Sequence, residues 1–330
     1  MAIKINNAIL HILKNDGSPS LFSQAELDIE SEVCEAFINK HVRKLMHNPA
    51  AREATFLPDS VVHAALEAFQ GGGHFKETAL VFGHRLDDII NQYVDIPPAD
   101  LLLVHFEDKK CRYFAAFKLN YKECFTHTAG ADGADNQLKK CTTVLPFDGG
   151  KIEEACLIPL TGPTVVRLIE KAHPVDGQMV NYFSDIFLEC ETTISRKETV
   201  QIINEVSDEF IQEYFDGNPK THAQLKVAIN EEANDAEGMV SLENVASRCF
   251  GEAAEQKQQF VHTLREAGLV EDLPLGEKFV RQQFGTQRIK AENGIEVKFP
   301  VELATDDGQM EITNHPDGSV TVLLKRLRMA

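Results

Sequence analysis

The sequence has 330 residues, a length that favours two or three domains over a single core. Hydrophobic residues make up 43% of the chain and charged residues 25%, which excludes global disorder. The formal net charge of −18 disfavours simple DNA binding, because phosphate contacts are ordinarily supplied by a basic surface.

The N-terminal part of the chain predicts one strand followed by three helices. Residues 2–13 alternate apolar and polar side chains, and the Asn-Asp-Gly-Ser-Pro stretch at 15–19 ends this strand. Apolar residues at helical spacing predict a helix over 26–47. A second helix begins at 58–60 and ends at the glycines of 71–73, and a third covers 76–93.

Beyond Pro97 and Pro98 the pattern changes to β. Residues 100–106 form a nearly continuous apolar strand, 107–110 a polar tight turn and 112–119 the return strand, which together predict a hairpin. Residues 128–135 predict a loop, and 139–145 and 151–160 predict two further strands. Residues 1–163 are therefore assigned to an N-terminal α/β domain.

The remaining chain divides into a helical and a β-rich part. Residues 164–270 predict a helical domain, with a short helix opening at 176–183 and an amphipathic helix over 196–215. Residues 271–330 predict a β-rich C-terminal domain, with turns at Asn293-Gly294 and Pro316-Asp317-Gly318. The expected fold class is α+β: N-terminal helices packed on an antiparallel sheet, a helical middle region and a β-rich C-terminal domain.

Export signals are missing from the pattern of the sequence. No stretch reaches the roughly 18 uninterrupted apolar residues of a membrane span. The N-terminus does not combine the basic, apolar and cleavage regions of a signal peptide. The seven cysteines are scattered and never spaced Cys-x-x-Cys, so reduced thiols are favoured over a disulfide framework. We therefore predict a cytoplasmic protein without membrane contact.

Enzymatic patterns are weak throughout the chain. Asp100 followed by Glu107-Asp108-Lys109 mimics the acid and acid-x-Lys pattern of metal-dependent nucleases. On one strand, a rise of about 3.3 Å per residue would separate Asp100 from Glu107 by roughly 23 Å, too far to share a metal ion. The histidines and cysteines show no zinc-like spacing, and no phosphate-binding loop or nucleophile elbow occurs. No catalytic residue, metal or cofactor is therefore predicted.

Two local basic clusters interrupt the acidic chain. The first consists of residues of the predicted hairpin that share strand parity: Lys110, Arg112, Lys118 and Lys122. The second lies in the last 64 residues, the part closest to neutral: Arg288, Lys290, Lys325, Arg326 and Arg328. On one side of a hairpin the first cluster could meet DNA phosphates, with Tyr113 and Phe117 on the opposite, buried side. The alternative is an ordinary solvated surface.

Several short sequence segments, called phrases below, resemble those of a known protein family. They are residues 82–86 (FGHRL), 99–106 (ADLLLVHF), 114–119 (FAAFKL), 171–176 (KAHPVD), 182–188 (YFSDIFL), 287–290 (QRIK) and 314–322 (NHPDGSVTV). With them, and with a mass of 36.8 kDa, the chain resembles the 37-kDa nucleoid-associated protein family of bacteria, the NdpA-like class. The resemblance spans essentially the whole chain and contains no catalytic signature.

The resemblance implies cytoplasmic residence, association with the nucleoid and DNA binding, without a defined set of DNA-contacting residues. The leading interpretation is a nucleoid-associated DNA-binding protein without catalytic activity, and a homodimer is compatible with it. One alternative is an interaction protein that partners recruit to the nucleoid, using the 196–215 helix and the acidic middle segment. The other is a cryptic metal-dependent nuclease or phage-defence protein whose carboxylates are brought together by the fold.

Overall fold

The computed structural model describes residues 3–129, 136–306, 308–315 and 319–325. Contacts group the chain into two compact units that divide between Ser195 and Arg196. Both units mix helices and strands, so the predicted α+β class is confirmed. The expected domain boundaries at residues 163 and 270 stay a prediction, and the first of them falls within the sheet of the first unit.

The first unit is built around a seven-stranded sheet in which every pairing is antiparallel. The strands of this unit are β1 (Lys4–Leu13), β2 (Arg52–Phe56), β3 (Ala99–Asp108), β4 (Cys111–Asn120), β5 (Lys122–Thr128), β6 (Gln137–Val144), β7 (Glu154–Pro159), β8 (Val166–Ile169), β9 (His173–Val175), β10 (Gln178–Val180) and β11 (Cys190–Thr192). The sheet order is β1-β3-β4-β7-β8-β2-β11, while β5 pairs with β6 and β9 with β10. The predicted hairpin is confirmed as β3 and β4.

Helices cover both faces of this sheet. They are α1 (Glu32–Met46), α2 (Val61–Gln70) and α3 (Phe75–Gln92). Leu101 and Leu103 of β3 pack in one core with α2 and α3, whereas Leu102 and Val104 pack in a second core with α1. Because successive side chains point to opposite faces, a strand buried on both sides needs apolar residues at nearly every position. The continuous apolar run of β3 meets that need.

Local hydrogen bonds decide where the first helices begin. α1 begins at Glu32, later than predicted, because the segment before it lies along β1, where the Leu27 amide donates to the Ala8 carbonyl at 2.8 Å. α2 begins after Ser60, whose hydroxyl accepts a hydrogen bond from the backbone amide of His63. The three helices predicted before residue 95 are thus confirmed, the first with a shifted start.

Helix α3 approaches β1 closely at Gly83. A Cβ atom on Gly83 would lie 2.8 Å from the imidazole of His11 and 3.1 Å from the ring of Phe22. Real Cβ atoms essentially never come as close as the first of these distances, so a larger residue at position 83 would force His11 or the helix to shift.

The two outer strands of the sheet differ from the inner ones. Along the outer side of β1, Ile12 and Leu21 exchange backbone hydrogen bonds of 3.0 and 2.8 Å, and the Leu27 amide bonds Ala8. At the opposite side of the sheet, β11 has only 3 residues. Neither outer strand therefore presents a long free row of backbone groups.

Residues 166–192 fall within the predicted helical domain, but they contain the strands β8 to β11. Val166 and Leu168 are buried where β8 joins β7 to β2, and β11 pairs with β2. The short helix predicted to open within 176–183 begins at the end of that range, where strand β10 is followed by a π-helix, Phe183–Leu188. Short segments of this kind take their structure from burial against neighbouring strands, which outweighs local helical spacing.

The second unit combines a helical core with short hairpins. Its helices are α4 (Arg196–Phe215), α5 (Pro219–Asp235), α6 (Leu242–Phe250), α7 (Ala254–Glu266) and α8 (Glu277–Phe284), and its strands are β12 (Met239–Ser241), β13 (Asp272–Pro274), β14 (Thr286–Lys290), β15 (Glu296–Pro300), β16 (Met310–Asn314) and β17 (Val320–Leu324). The strand pairs β14–β15 and β16–β17 confirm the pairing predicted for the two hairpins. The predicted turn residues Pro316, Asp317 and Gly318 lie outside the described residues. Within the described ranges, the helices lack the combination of length and apolar character that crossing a bilayer requires.

Candidate nucleic-acid interface

The turn between β3 and β4 places two lysines at an exposed tip. Lys109 and Lys110 both have positive φ angles, 48° and 72°, between the opposed residues Asp108 and Cys111. Two consecutive left-handed residues are the geometry of a type I′ turn, which matches the twist of a two-residue hairpin. Arg112 follows on β4 and is also exposed. The sequence therefore predicted correctly that this end of the hairpin is basic and exposed.

Lys118 does not belong to that surface, and the expectation that it faces solvent is wrong. Its side chain is 0% exposed, and its Nζ lies 3.6 Å from the Glu154 carboxylate and 2.5 Å from Oδ1 of Asn120. The Tyr182 ring lies over the same ammonium group, 6.0 Å from ring centroid to Nζ. Strand parity identified the face correctly, but that face is covered here by the segment that contains Tyr182.

The carboxylate of Glu154 lies at the centre of a buried polar network. Glu154 accepts from Asn120 at 2.9 Å and contacts Nε2 of His173 at 2.8 Å, besides its ion pair with Lys118. Burial tends to raise the pKa of Glu154, but the His173 hydrogen bond and the charge of Lys118 outweigh burial and lower it. Burial lowers the pKa of Lys118, partly offset by Glu154. Lys118 therefore belongs to the interior of the first unit.

The four residues of the predicted hairpin cluster do not form one patch. Arg112 and Lys122 are separated by the length of β4, roughly 30 Å at the usual rise per residue. Lys110 and Arg112 lie at one end of that strand, Lys118 is buried near the other, and Lys122 lies beyond it on β5. The cluster that the sequence suggested is therefore divided between two ends of the hairpin.

A second basic surface lies on the β5–β6 ribbon, the antiparallel pair formed by Lys122–Thr128 and Gln137–Val144. Every residue of β5 is exposed, and so are nearly all residues of β6. The ribbon carries Lys122, Lys139 and Lys140 against the single carboxylate of Glu123, which pairs with Lys140 at 2.7 Å. Sequence analysis predicted β6 but missed β5, because a strand exposed on both faces has no apolar alternation.

The register gives the β5–β6 ribbon two different faces, since directly opposed residues lie on the same side. The threonine face carries three opposed pairs: Cys124 with Cys141, Thr126 with Lys139, and Thr128 with Gln137. The phenylalanine face carries two: Phe125 with Lys140, and His127 with Leu138. Phe125 is 71% exposed and Leu138 81% exposed. The ribbon thus carries Lys139 with hydroxyl and amide groups on the threonine face, whereas Lys140 shares the phenylalanine face with exposed apolar side chains.

Two of the C-terminal basic residues, Arg288 and Lys325, are paired with carboxylates. Arg288 donates to Glu296 at 2.6 Å, and Lys290 lies opposite Glu296 in the β14–β15 register. Hydrogen bonding and charge from Glu296 raise the pKa of Arg288. Lys325 pairs with Glu311 at 2.8 Å. Arg326 and Arg328 lie outside the described residues. A phosphate would have to displace these carboxylates, so DNA contact by this cluster stays a prediction.

The acidic residues behind the nuclease alternative lie at opposite ends of β3. Asp100 accepts a hydrogen bond of 2.6 Å from the Tyr121 hydroxyl, whereas Glu107 accepts from the Asn6 side chain at 3.3 Å. Burial raises the pKa of Asp100, partly offset by the Tyr121 hydrogen bond. In the ranges that the structure describes, no three histidine, cysteine or acidic side chains are grouped to hold a metal ion.

The amphipathic helix expected at 196–215 is present as α4. Its apolar residues, including Ile203 and Phe210, are buried in the core of the second unit. Its exposed positions include Glu205, Glu209 and Glu213. A partner could therefore meet the acidic side of this helix, because its apolar side is already occupied.

Comparison with known proteins gives one family for nearly the whole chain. Residues 9–329 match the model of the family described as NA37, nucleoid-associated protein YejK. Comparison with individually curated proteins gave no match. The match agrees with the resemblance seen in the sequence phrases and covers both units. The chain therefore belongs to the NA37 family of nucleoid-associated proteins.

Proposed function

We propose that this chain is a cytoplasmic, nucleoid-associated protein that binds DNA directly, without catalytic activity, and that the β5–β6 ribbon is its contact surface. The observation that carries the proposal is the exposure of Lys122, Lys139 and Lys140 on a two-stranded ribbon within a chain of net charge −18. Family membership supports the nucleoid as the place of action.

The acidic balance of the chain is compatible with a local DNA contact. At physiological ionic strength charges are screened over about 8 Å, so a phosphate near the ribbon responds mainly to the charges beside it. There the three lysines outnumber the single carboxylate of Glu123. Distant acidic surface slows the approach to DNA, and added salt screens this repulsion. The lysine–phosphate contacts themselves weaken as salt rises, because forming each contact releases counterions from DNA.

The shape of the ribbon suits a groove of double-stranded DNA. The major groove of B-DNA is about 12 Å wide and admits a two-stranded β-ribbon. On the threonine face, Lys139 would reach phosphates, while Thr126, Thr128 and Gln137 offer hydrogen-bonding groups to base edges. A homodimer would place two such ribbons on one duplex.

The experiment is a salt series of binding to double- and single-stranded DNA by the full-length protein, with and without magnesium. The test variant carries Lys122→Ala, Lys139→Ala and Lys140→Ala. For each lost phosphate contact, the slope of log affinity against log salt should fall by about 0.9, giving a total of up to about 3. The matched control carries Lys109→Ala, Lys110→Ala and Arg112→Ala at the opposite end of the hairpin and should keep most of the slope.

Four results would redirect the proposal. Equal loss in both variants would show a diffuse electrostatic contact, and loss in the control alone would move the contact to the β3–β4 turn. Magnesium-dependent cleavage would favour the nuclease alternative. If the ribbon variant keeps its slope, the C-terminal cluster of Arg288, Lys290 and Lys325 becomes the next surface to test.

A second candidate function is recruitment to the nucleoid by a basic partner protein. The observation that favours it is the exposed acidic side of α4, with Glu205, Glu209 and Glu213. Absence of DNA binding at low salt, together with salt-sensitive binding to a basic DNA-binding protein, would support this function over direct contact. Replacing the three glutamates by glutamine should then abolish the interaction with that protein.

A further inference from the structure

Two cysteines face each other across the β5–β6 ribbon. Cys124 on β5 and Cys141 on β6 are directly opposed in the register, and both are free thiols. Opposed residues of antiparallel strands have Cα atoms about 4.5 to 5.5 Å apart, within the range of about 4.4 to 6.8 Å that disulfides use. Cys124 is exposed and Cys141 is partly exposed, so small oxidants reach the pair from solvent.

The remaining cysteines provide a contrast within the same chain. Cys156 and Cys190 are buried in the sheet, and burial raises the pKa of the Cys190 thiol to about 12. Cys111 is exposed, but its register partner on β3 is Asp108. Among the strand residues that the structure describes, Cys124 and Cys141 are the only two cysteines that lie directly opposite each other.

We propose that Cys124 and Cys141 form a redox site that closes a reversible disulfide across the ribbon. The oxidant is a low-molecular-weight disulfide such as glutathione disulfide. The Cys124 thiolate attacks one sulfur of the oxidant, forms a mixed disulfide and releases one thiolate. The Cys141 thiolate then attacks the Cys124 sulfur and releases the second thiolate. Two electrons pass to the oxidant, and the two thiol protons pass to solvent.

The disulfide has a structural consequence because the ribbon lacks a core of its own. Both faces of β5 are exposed, so the reduced ribbon depends on its backbone ladder, and an isolated two-stranded hairpin is marginally stable. The pair also lies beside the register shift between Lys122 and Cys124. A covalent link there fixes the register next to the irregularity and limits opening of the strands. Oxidation therefore converts a loosely held ribbon into an ordered one.

A redox titration of the full-length protein in glutathione buffers tests the site without reference to DNA. Peptide mapping should find an internal Cys124–Cys141 disulfide, in which the two linked peptides together weigh two hydrogen atoms less than the separate thiol peptides. Cys111, the exposed control, should take up glutathione and form no internal bond. Amide exchange in β5 and β6 should become about tenfold slower or more on oxidation, and dithiothreitol should reverse the change.

The variants Cys124→Ser and Cys141→Ser should each abolish the slowing of exchange, whereas Cys111→Ser should leave it unchanged. Stable glutathione adducts on both ribbon cysteines, without an internal bond, would overturn the proposal. So would an internal bond that leaves exchange in the ribbon unaltered. Because these measurements need no nucleic acid, failure of the redox site and failure of DNA binding are separate outcomes.

Discussion

Lys118 and Lys122 are four positions apart on successive strands, and their side chains lie in opposite environments. Lys118 is buried against Glu154, whereas Lys122 is exposed on the ribbon. The break between β4 and β5 at Tyr121 separates the two environments. The comparison teaches that strand parity tells which face a lysine occupies but not whether another part of the chain covers that face. The same residue type can therefore stabilise the core or remain free for a ligand.

The largest expected change in the free energy of unfolding follows from replacing Glu154, the buried partner of Lys118. Glu154→Gln leaves the ammonium of Lys118 buried without a charged partner, and should lower the free energy of unfolding by about 3 to 5 kcal/mol. Urea titration measures the change. The matched control is Glu153→Gln, since Glu153 keeps 21% of its side chain exposed and makes ion pairs of 3.6 and 3.7 Å. That control should lose less than about 1 kcal/mol.

A second variant distinguishes loss of the ion pair from general damage. Adding Lys118→Met to the Glu154→Gln protein removes the uncompensated charge and should restore at least about 1 kcal/mol. If the double variant is as unstable as the single one, the ion pair does not explain the loss.

An intermediate loss of stability is expected at acidic pH, from the protonation of His41. His41 packs against Phe117 of the sheet, and its Nε2 finds no hydrogen-bond partner in the described part of the chain. Burial, together with the charge of Lys44, lowers the pKa of His41 to about 4. Between pH 6.5 and 4 the unfolded chain therefore binds a proton that the folded chain does not. The contribution of His41 to stability should fall by up to about 3 kcal/mol as pH falls through this window, and this contribution should level off below pH 4.

The variant His41→Gln isolates this contribution. The pKa values of His11 and His105 are also lowered by burial, so the wild-type profile sums several groups, and the difference between wild type and variant reports His41. Parallel stability profiles between pH 6.5 and 4 would contradict the assignment.

The smallest expected change in the free energy of unfolding follows from replacing the exposed lysines of the β5–β6 ribbon. The ribbon variant with Lys122→Ala, Lys139→Ala and Lys140→Ala should change the free energy of unfolding by less than about 0.5 kcal/mol, because the side chains are exposed and their one ion pair is solvated. Thermal unfolding beside the Glu154→Gln protein provides the measurement. A loss above about 2 kcal/mol would mean that the ribbon packs as part of the core, and the comparison would fail.

Much of the first unit could be predicted because its strands and helices have strong local patterns. The apolar run of β3, the polar turn and β4 identified the central hairpin, and three helices followed from periodicity. The burial of Lys118 could not be predicted, since it depends on Glu154 and Tyr182, which are distant in sequence. β5 was missed because both of its faces are exposed, so its sequence lacks the alternation of apolar and polar residues that predicts a strand.

The phrases that carried the family resemblance mark the fold more than the candidate interface. In the 82–86 phrase, Phe82 and Leu86 are buried, Gly83 permits the approach to β1, and Arg85 pairs with Glu189 at 2.7 Å. The phrases at 99–106 and 114–119 are the buried parts of β3 and β4. Packing fixes such residues, so they identify the family without indicating what the ribbon contacts.

The outer strands of the sheet have a consequence for behaviour at high concentration. The backbone groups of Leu21 and Leu27 hydrogen-bond to β1, and β11 is only 3 residues long. The sheet therefore has few free backbone groups to which a strand of another molecule could pair. The ribbon differs, since β5 and β6 pair only with each other among the described strands. This ribbon carries three exposed lysines, and charged side chains on an edge strand disfavour β-pairing between molecules. We expect their removal to reduce solubility more than folding stability.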